Sequence, residues 1–236
     1  MKRIGRVTAT LTLLLVGTVL HAQDRGRRRG DEQTPKPAAV PAKEQQQRVA
    51  QEQQRASTYK TKLVQQVHVV QKQAATLSHA RPTQARTQQE YAAQLQQQQR
   101  RLPGQRDFTK DPYVSAPVKY RYVVDGAVRQ TNDYGAQVLR QAVNNGYEQG
   151  YRAGQADRAD HWKSSYQTSP AYKDANYGFE GNYVAQADYN YYFRQGFRRG
   201  YQDGYAARFQ YGTNSNGTAS ILGSVLTGIL GLKSIG

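Results

Sequence analysis

Asp157, Asp160 and His161 form the only cluster in which carboxylates and an imidazole stand together beside aromatic residues. Steps of three and four residues place Asp157 with Asp160 and with His161 on one side of a helix end. Carboxylate oxygens and imidazole nitrogens are donors that a divalent metal accepts. A closed site needs further ligands from another strand or loop, and the neighbouring sequence offers none. The plainer reading is that His161 packs or caps beside Trp162. His21 lies in the leader, while His68 and His79 lie on a polar stretch. Nucleophilic catalysis needs a nucleophile, a base and an orienting group, and no such set is recognisable. With no cysteine, the chain has no disulfide, thiolate metal site or thiol nucleophile. The glycines stand at helical spacing with no lysine following as in a phosphate loop. No catalytic residue, cofactor, metal or small-molecule substrate is indicated, and the chain reads as a non-enzyme.

A second chemistry is binding. Tyr189, Tyr191, Tyr192, Arg194, Arg198 and Arg199 bring rings and guanidiniums together, a combination that stacks on sugars or single-stranded nucleic acid. Against this, the rings are needed as core. Between Asp133 and Gly212 the only aliphatic Val, Leu or Ile residues are Val138, Leu139, Val143 and Val184. Arg25, Arg27, Arg28 and Arg29 form a separate basic cluster suited to a polyanion or a lipid surface, or simply to a solvated tail. The formal charge is +16, yet residues 133–212 hold nine basic and eight acidic side chains. Attraction to an envelope polyanion or polysaccharide is therefore expected from the N-terminal half.

The elements that position these groups follow from glycine spacing. Gly146, Gly150 and Gly154 recur fifty residues later as Gly196, Gly200 and Gly204, with an aromatic residue after the first two of each set. Glycine costs about 1 kcal/mol relative to alanine inside a helix, so three in a row require a compensating contact. Positions i and i+4 share a face, and the glycines leave a groove into which another backbone fits. One stripe runs Leu139, Ala142, Val143, Gly146, Gly150, Ala153 and Gly154. The other runs Tyr189, Phe193, Gly196, Gly200, Gly204 and Ala207. The expected fold is mainly α: two Gly-zipper helices, about 133–162 and 183–208, packed groove to groove with a small β-hairpin. A Gln-rich, coiled-coil-like region precedes them.

The hairpin is expected at 118–131, where Val118–Val124 alternates and Asp125-Gly126 supplies a two-residue turn. Asn132 or Asp133 caps the first glycine helix, and Asn182 stands opposite Asn132 as a cap for the second. Residues 44–102 contain a seam of Ala56, Lys60, Leu63, Val67, Val70, Ala74 and Leu77, broken near Pro82. A second helix there carries Ala85, Ala92, Leu95 and Leu102. It reads as a helical hairpin, a self-associating coil or a partly disordered tract.

Residues 1–22 read as a signal peptide cleaved before Gln23, with an uncleaved anchor as the alternative. Export to the periplasm, outer envelope or exterior follows. Residues 23–43 read as a disordered Arg/Pro linker and 103–116 as a connector. The Tyr/Gly-repeat domain spans 117–212, and 213–236 reads as a polar spacer and an apolar C-terminal helix. Self-association through 44–102 or 219–235, and membrane contact by 219–235, are the expected modes of partnership. Asn216-Gly217-Thr218 matches a glycosylation acceptor, a pattern common by chance.

From Asn144 to Arg158, and again near Phe193–Tyr205, the chain resembles a group of exported, uncharacterised proteins of Acidobacteria. The resemblance covers about Pro117–Gly212. It implies export and one folded unit, and it carries no activity or site residues. The glycine spacing is also similar to that of glycine-zipper surface proteins, whose helices are apolar. Here Glu148, Arg152, Arg198 and Arg199 interrupt the pattern. The functional expectation is a non-enzymatic exported cell-envelope protein with a structural or protein-interaction role. The alternative is a binding module for an envelope polyanion or polysaccharide that uses the Arg cluster and exposed tyrosines.

Overall fold

The two glycine helices, α4 (Asp133–Ala159) and α6 (Gln186–Ala206), are the centre of the computed structural model, which describes residues 39–102 and 106–235. A methyl group on Gly146, Gly150 or Gly154 would overlap the backbone of Phe193, Phe197 and Tyr201 in turn. One on Gly196, Gly200 or Gly204 would overlap that of Val143, Tyr147 and Tyr151. Partners on both helices ascend together, so α4 and α6 run parallel and are related by a local two-fold axis. Residues 160–185 return the chain along the length of α4, about 40 Å for its 27 residues. That return contains a short 3₁₀ turn at Tyr166–Thr168 and α5 (Pro170–Asp174), begun by a proline at its first position.

The fold is mainly helical with small antiparallel sheets. Asn132 caps α4 by accepting from the amides of Tyr134 at 3.1 Å and Gly135 at 3.3 Å. Before it, β1 (Tyr120–Val124) and β2 (Ala127–Thr131) pair antiparallel around Asp125-Gly126, whose φ angles of 49° and 81° suit a primed turn. The second glycine helix starts later than 183. Tyr183 has φ +65°, and Ala185 flanks α6 without a side-chain cap. Asn182 is buried and is not the cap. α4 stops at Ala159, short of 162, and His161 is left-handed at φ +50°.

The Gln-rich stretch folds as α1 (Ala42–Leu77) and α2 (Pro82–Arg101). Helix therefore begins within the expected linker, and Val40 is buried. Leu63, Val67, Val70 and Ala74 of the seam are buried with Tyr59, Tyr91, Ala92 and Leu95. All of these except Ala74 share one core with Val143, Tyr147, Phe193 and Phe197. The described residues belong to one compact unit, so the expected separation of Gln-rich and Gly/Tyr parts is corrected. The part of the connector that is described includes α3 (Pro112–Ser115).

The C-terminal expectation is also corrected. Residues 213–218 are not a spacer, and 219–235 is not one helix. β3 (Gly212–Ser215) and β4 (Thr218–Ile221) form a second hairpin, followed by α7 (Gly223–Leu230) and β5 (Lys233–Ser234). β5 pairs with β1 and gives the order β2-β1-β5. Among the described residues, no helix is long and apolar enough to cross a membrane. The expected signal peptide and the cluster at Arg25–Arg29 lie outside the described residues.

Candidate functional site

Eight of the eighteen tyrosines are buried, and their rings must go inside without leaving unpartnered hydroxyls there. Carboxylates solve this repeatedly. Tyr147 donates to Asp203 at 2.7 Å, Tyr201 to Asp157 at 2.6 Å and Tyr122 to Asp188 at 2.8 Å. Tyr91 donates to Asp174 at 2.6 Å and Tyr183 to Asp111 at 2.8 Å. Burial comes first among the causes that push the Tyr147, Tyr201 and Tyr122 hydroxyls above their usual range, and the adjacent carboxylate adds to it. These tyrosines therefore stay protonated and act as donors. Asp188 also has the Arg129 Nε 3.0 Å from its second oxygen, an ion pair without hydrogen-bond alignment.

The Asp157, Asp160 and His161 group is dispersed by its surroundings. Asp157 is fully buried, ion-paired with Arg81 and hydrogen-bonded by Tyr201. Arg81 itself is 3% exposed, lies 5.0 Å from the Trp162 ring and donates to the Thr168 hydroxyl at 3.2 Å. Asp160 accepts from the amides of Thr83 at 2.9 Å and Gln84 at 2.8 Å and so caps α2 across the interface. Burial would raise the Asp160 carboxyl, but Thr83, Gln84 and Arg81 outweigh it and hold it below the usual range. His161 is exposed. Among the described residues, no three His, Asp or Glu side chains are grouped to hold a metal. Arg81 is the partner that sequence reasoning missed, and its position one residue before Pro82 gives no signal of it.

The six candidate ligand-surface residues divide. Tyr189 and Tyr192 are 0% and 1% exposed, so their assignment to a surface is corrected: they are core. Tyr189 donates to the Tyr177 carbonyl at 2.6 Å, and Tyr192 to those of Val123 and Leu230 at 3.1 and 3.2 Å. Tyr191, Arg194, Arg198 and Arg199 do share the outward side of α6. Their aromatic partners come from outside that helix, where sequence reasoning did not look. Arg194 stands over Tyr172 at 5.9 Å, Arg198 over Tyr166 at 5.6 Å and Arg199 over Tyr211 at 6.0 Å. Elsewhere, a cleft of about 1170 Å³ lies between α1, α2 and the 177–180 segment, lined by Gln53, Gln54, Gln94, Gln97, Arg101 and Tyr177 among others. That lining suits hydrogen bonding to a polar chain. No protein-family model, no curated protein and no solved structure matches this chain.

Proposed function

We propose that this is a non-enzymatic exported protein of the cell envelope with a structural or protein-interaction role. One observation carries the reading. The side chains best suited to chemistry are committed to the fold, Asp157 to Arg81 and Tyr201 and Asp160 to the start of α2. The apolar seam of α1 is likewise used within the chain, which removes it as a self-association surface. The exposed valines are left for partners: Val123 and Val128 face each other across the hairpin at 49% and 66% exposure. Fractionation of the producing cells tests the envelope assignment. Recovery in the periplasmic, outer-envelope or extracellular fraction is expected, and retention in the cytoplasm would overturn it.

A second reading, binding of an envelope polyanion or polysaccharide, is favoured by a separate observation. Arginines of α6 reach the surface braced on tyrosine rings, whereas Asp157, Asp188 and Asp203 of the same half are buried. Retention of the full chain on heparin, falling steeply with salt, is the expected result.

A further inference from the structure

Residues 133–212 are near neutral by count, but folding separates the signs. Asp157, Asp188 and Asp203 are buried, Asp174 takes the Tyr91 hydroxyl and Asp160 caps α2. None of the nine cations in the same span is buried. This half therefore presents a basic surface that its composition conceals, and the expectation that polyanion attraction belongs to the N-terminal half is incomplete.

The charge is concentrated on the outward side of α6. Tyr191, Arg194, Arg198 and Gln202 follow at steps of three and four, flanked by Gln195 and Arg199. Among the described residues, Arg198 and Arg199 have no carboxylate within ion-pair distance. Burial, and after it the neighbouring Arg198, holds Arg199 below its usual range. Arg199 is tied to the Gln195 carbonyl at 2.8 Å, and Arg194 to those of Tyr172 and Lys173 at 3.0 and 2.7 Å. Arg194 also acts on Asp174, so the uncompensated charge centres on Arg198 and Arg199.

We infer that this ridge binds an acidic polysaccharide, with Arg198 and Arg199 on its anionic groups and Gln195 and Gln202 on its hydroxyls. The inference rests on the polyanion reading and gives it a site. Guanidiniums already cover a face of Tyr166, Tyr172 and Tyr211, so those faces are closed to nucleic-acid bases, which need open rings for stacking. Fixed cations alternating with amides match instead a chain of carboxylates and hydroxyls. Bracing also reduces the freedom that the arginines lose on binding.

The test uses the full chain, with polygalacturonate, neutral dextran and a single-stranded DNA oligonucleotide as probes. Wild type binds polygalacturonate at low salt and does not bind dextran. Arg198→Gln/Arg199→Gln weakens that affinity by about tenfold or more and lowers the salt dependence by about two charges. Its circular-dichroism melting curve stays as in wild type. A variant with Arg25, Arg27, Arg28 and Arg29 all changed to Gln keeps most of the affinity. Unchanged affinity in the ridge variant overturns the inference, as does DNA bound more tightly than polygalacturonate. Loss confined to the N-terminal variant removes the ridge but leaves the polyanion reading standing. Absence of wild-type binding to every anionic probe removes both.

Discussion

At the scale of single residues, the glycines and the buried acids make signed predictions. Gly150→Ala places a methyl group on the Phe197 carbonyl, backbone that cannot move aside as a side chain end would. It should destabilise by about 1–3 kcal/mol, the usual range for overpacking. Gly228 lies within α7, and a methyl group there meets nothing within 4 Å. Gly228→Ala should stabilise by about 0.5–1 kcal/mol. Urea titration of both variants decides the matter, and a stabilised Gly150→Ala would contradict the close crossing. Glu52 is buried, with Arg55 at 2.5 Å and the Tyr183 amide donating to it at 2.6 Å. Burial, its largest influence, raises this carboxyl above the ordinary 4.5 despite both partners. The folded state thus holds the proton more tightly. Its contribution is full below the ordinary value and is lost as pH rises through the raised one. Glu52→Gln should therefore gain on wild type in urea midpoint as pH rises above the ordinary carboxylate value and through the raised one. A relative loss over that range would show that Arg55 governs instead.

At the scale of elements, the Gln-rich hairpin is fastened to the glycine helices by polar side chains as well as by its apolar seam. Arg81 reaches from the start of α2 to Asp157 on α4, and Asp160 at the end of α4 returns to cap α2. Gln98 Nε2 donates to the Tyr59 hydroxyl at 2.8 Å and the Phe179 carbonyl at 2.6 Å, while Gln88 accepts from the Ala171 amide at 2.9 Å. Arg81→Ala leaves the buried Asp157 without its ion-pair partner and should cost about 3–5 kcal/mol. Adding Asp157→Asn should restore part of that loss, so the two changes combine with less than additive effect in a denaturation cycle. Additive losses would mean that the pair does not act as one unit. Some of this level was legible in the sequence. Asp125-Gly126 marks its hairpin, Asn132 its cap, and the glycine spacing the buried faces. Asn216-Gly217 carries the same turn signal, with φ angles of 53° and 82°, but the glycosylation pattern and the apolar run behind it masked that meaning. Glutamines that satisfy distant backbone groups have no sequence signature, because their partners lie 80 or so residues away.

At the scale of the whole molecule, the structure replaces a modular picture with an integrated one. Tyr59 meets the Phe179 ring at a centroid distance of 4.8 Å, and Leu63 and Leu95 are entirely buried in the shared core. A fragment of residues 106–235 would leave Phe179, Ala171 and Asp157 without their covers. It should show helical circular dichroism at most, with poor amide dispersion by NMR, and the full chain should show sharp dispersion. A well-dispersed spectrum from the fragment would restore the independent Tyr/Gly-repeat domain. The candidate surface was legible in the choice of Arg194, Arg198 and Arg199, but not in its electrostatics. Counting charges gives no sign of which ones a fold turns inward, and here tyrosine hydroxyls draw the carboxylates inside.

The parallel course of α4 and α6 has a thermodynamic consequence. Each rod carries three glycines at the crossing, residues that disfavour helix, and obtains its missing wall from the other's carbonyl ridge. Neither gains by forming first, and they cannot meet until the long return between them is laid down. Order in this half is therefore cooperative by construction: the pair exists together, or both strands of the repeat are coil.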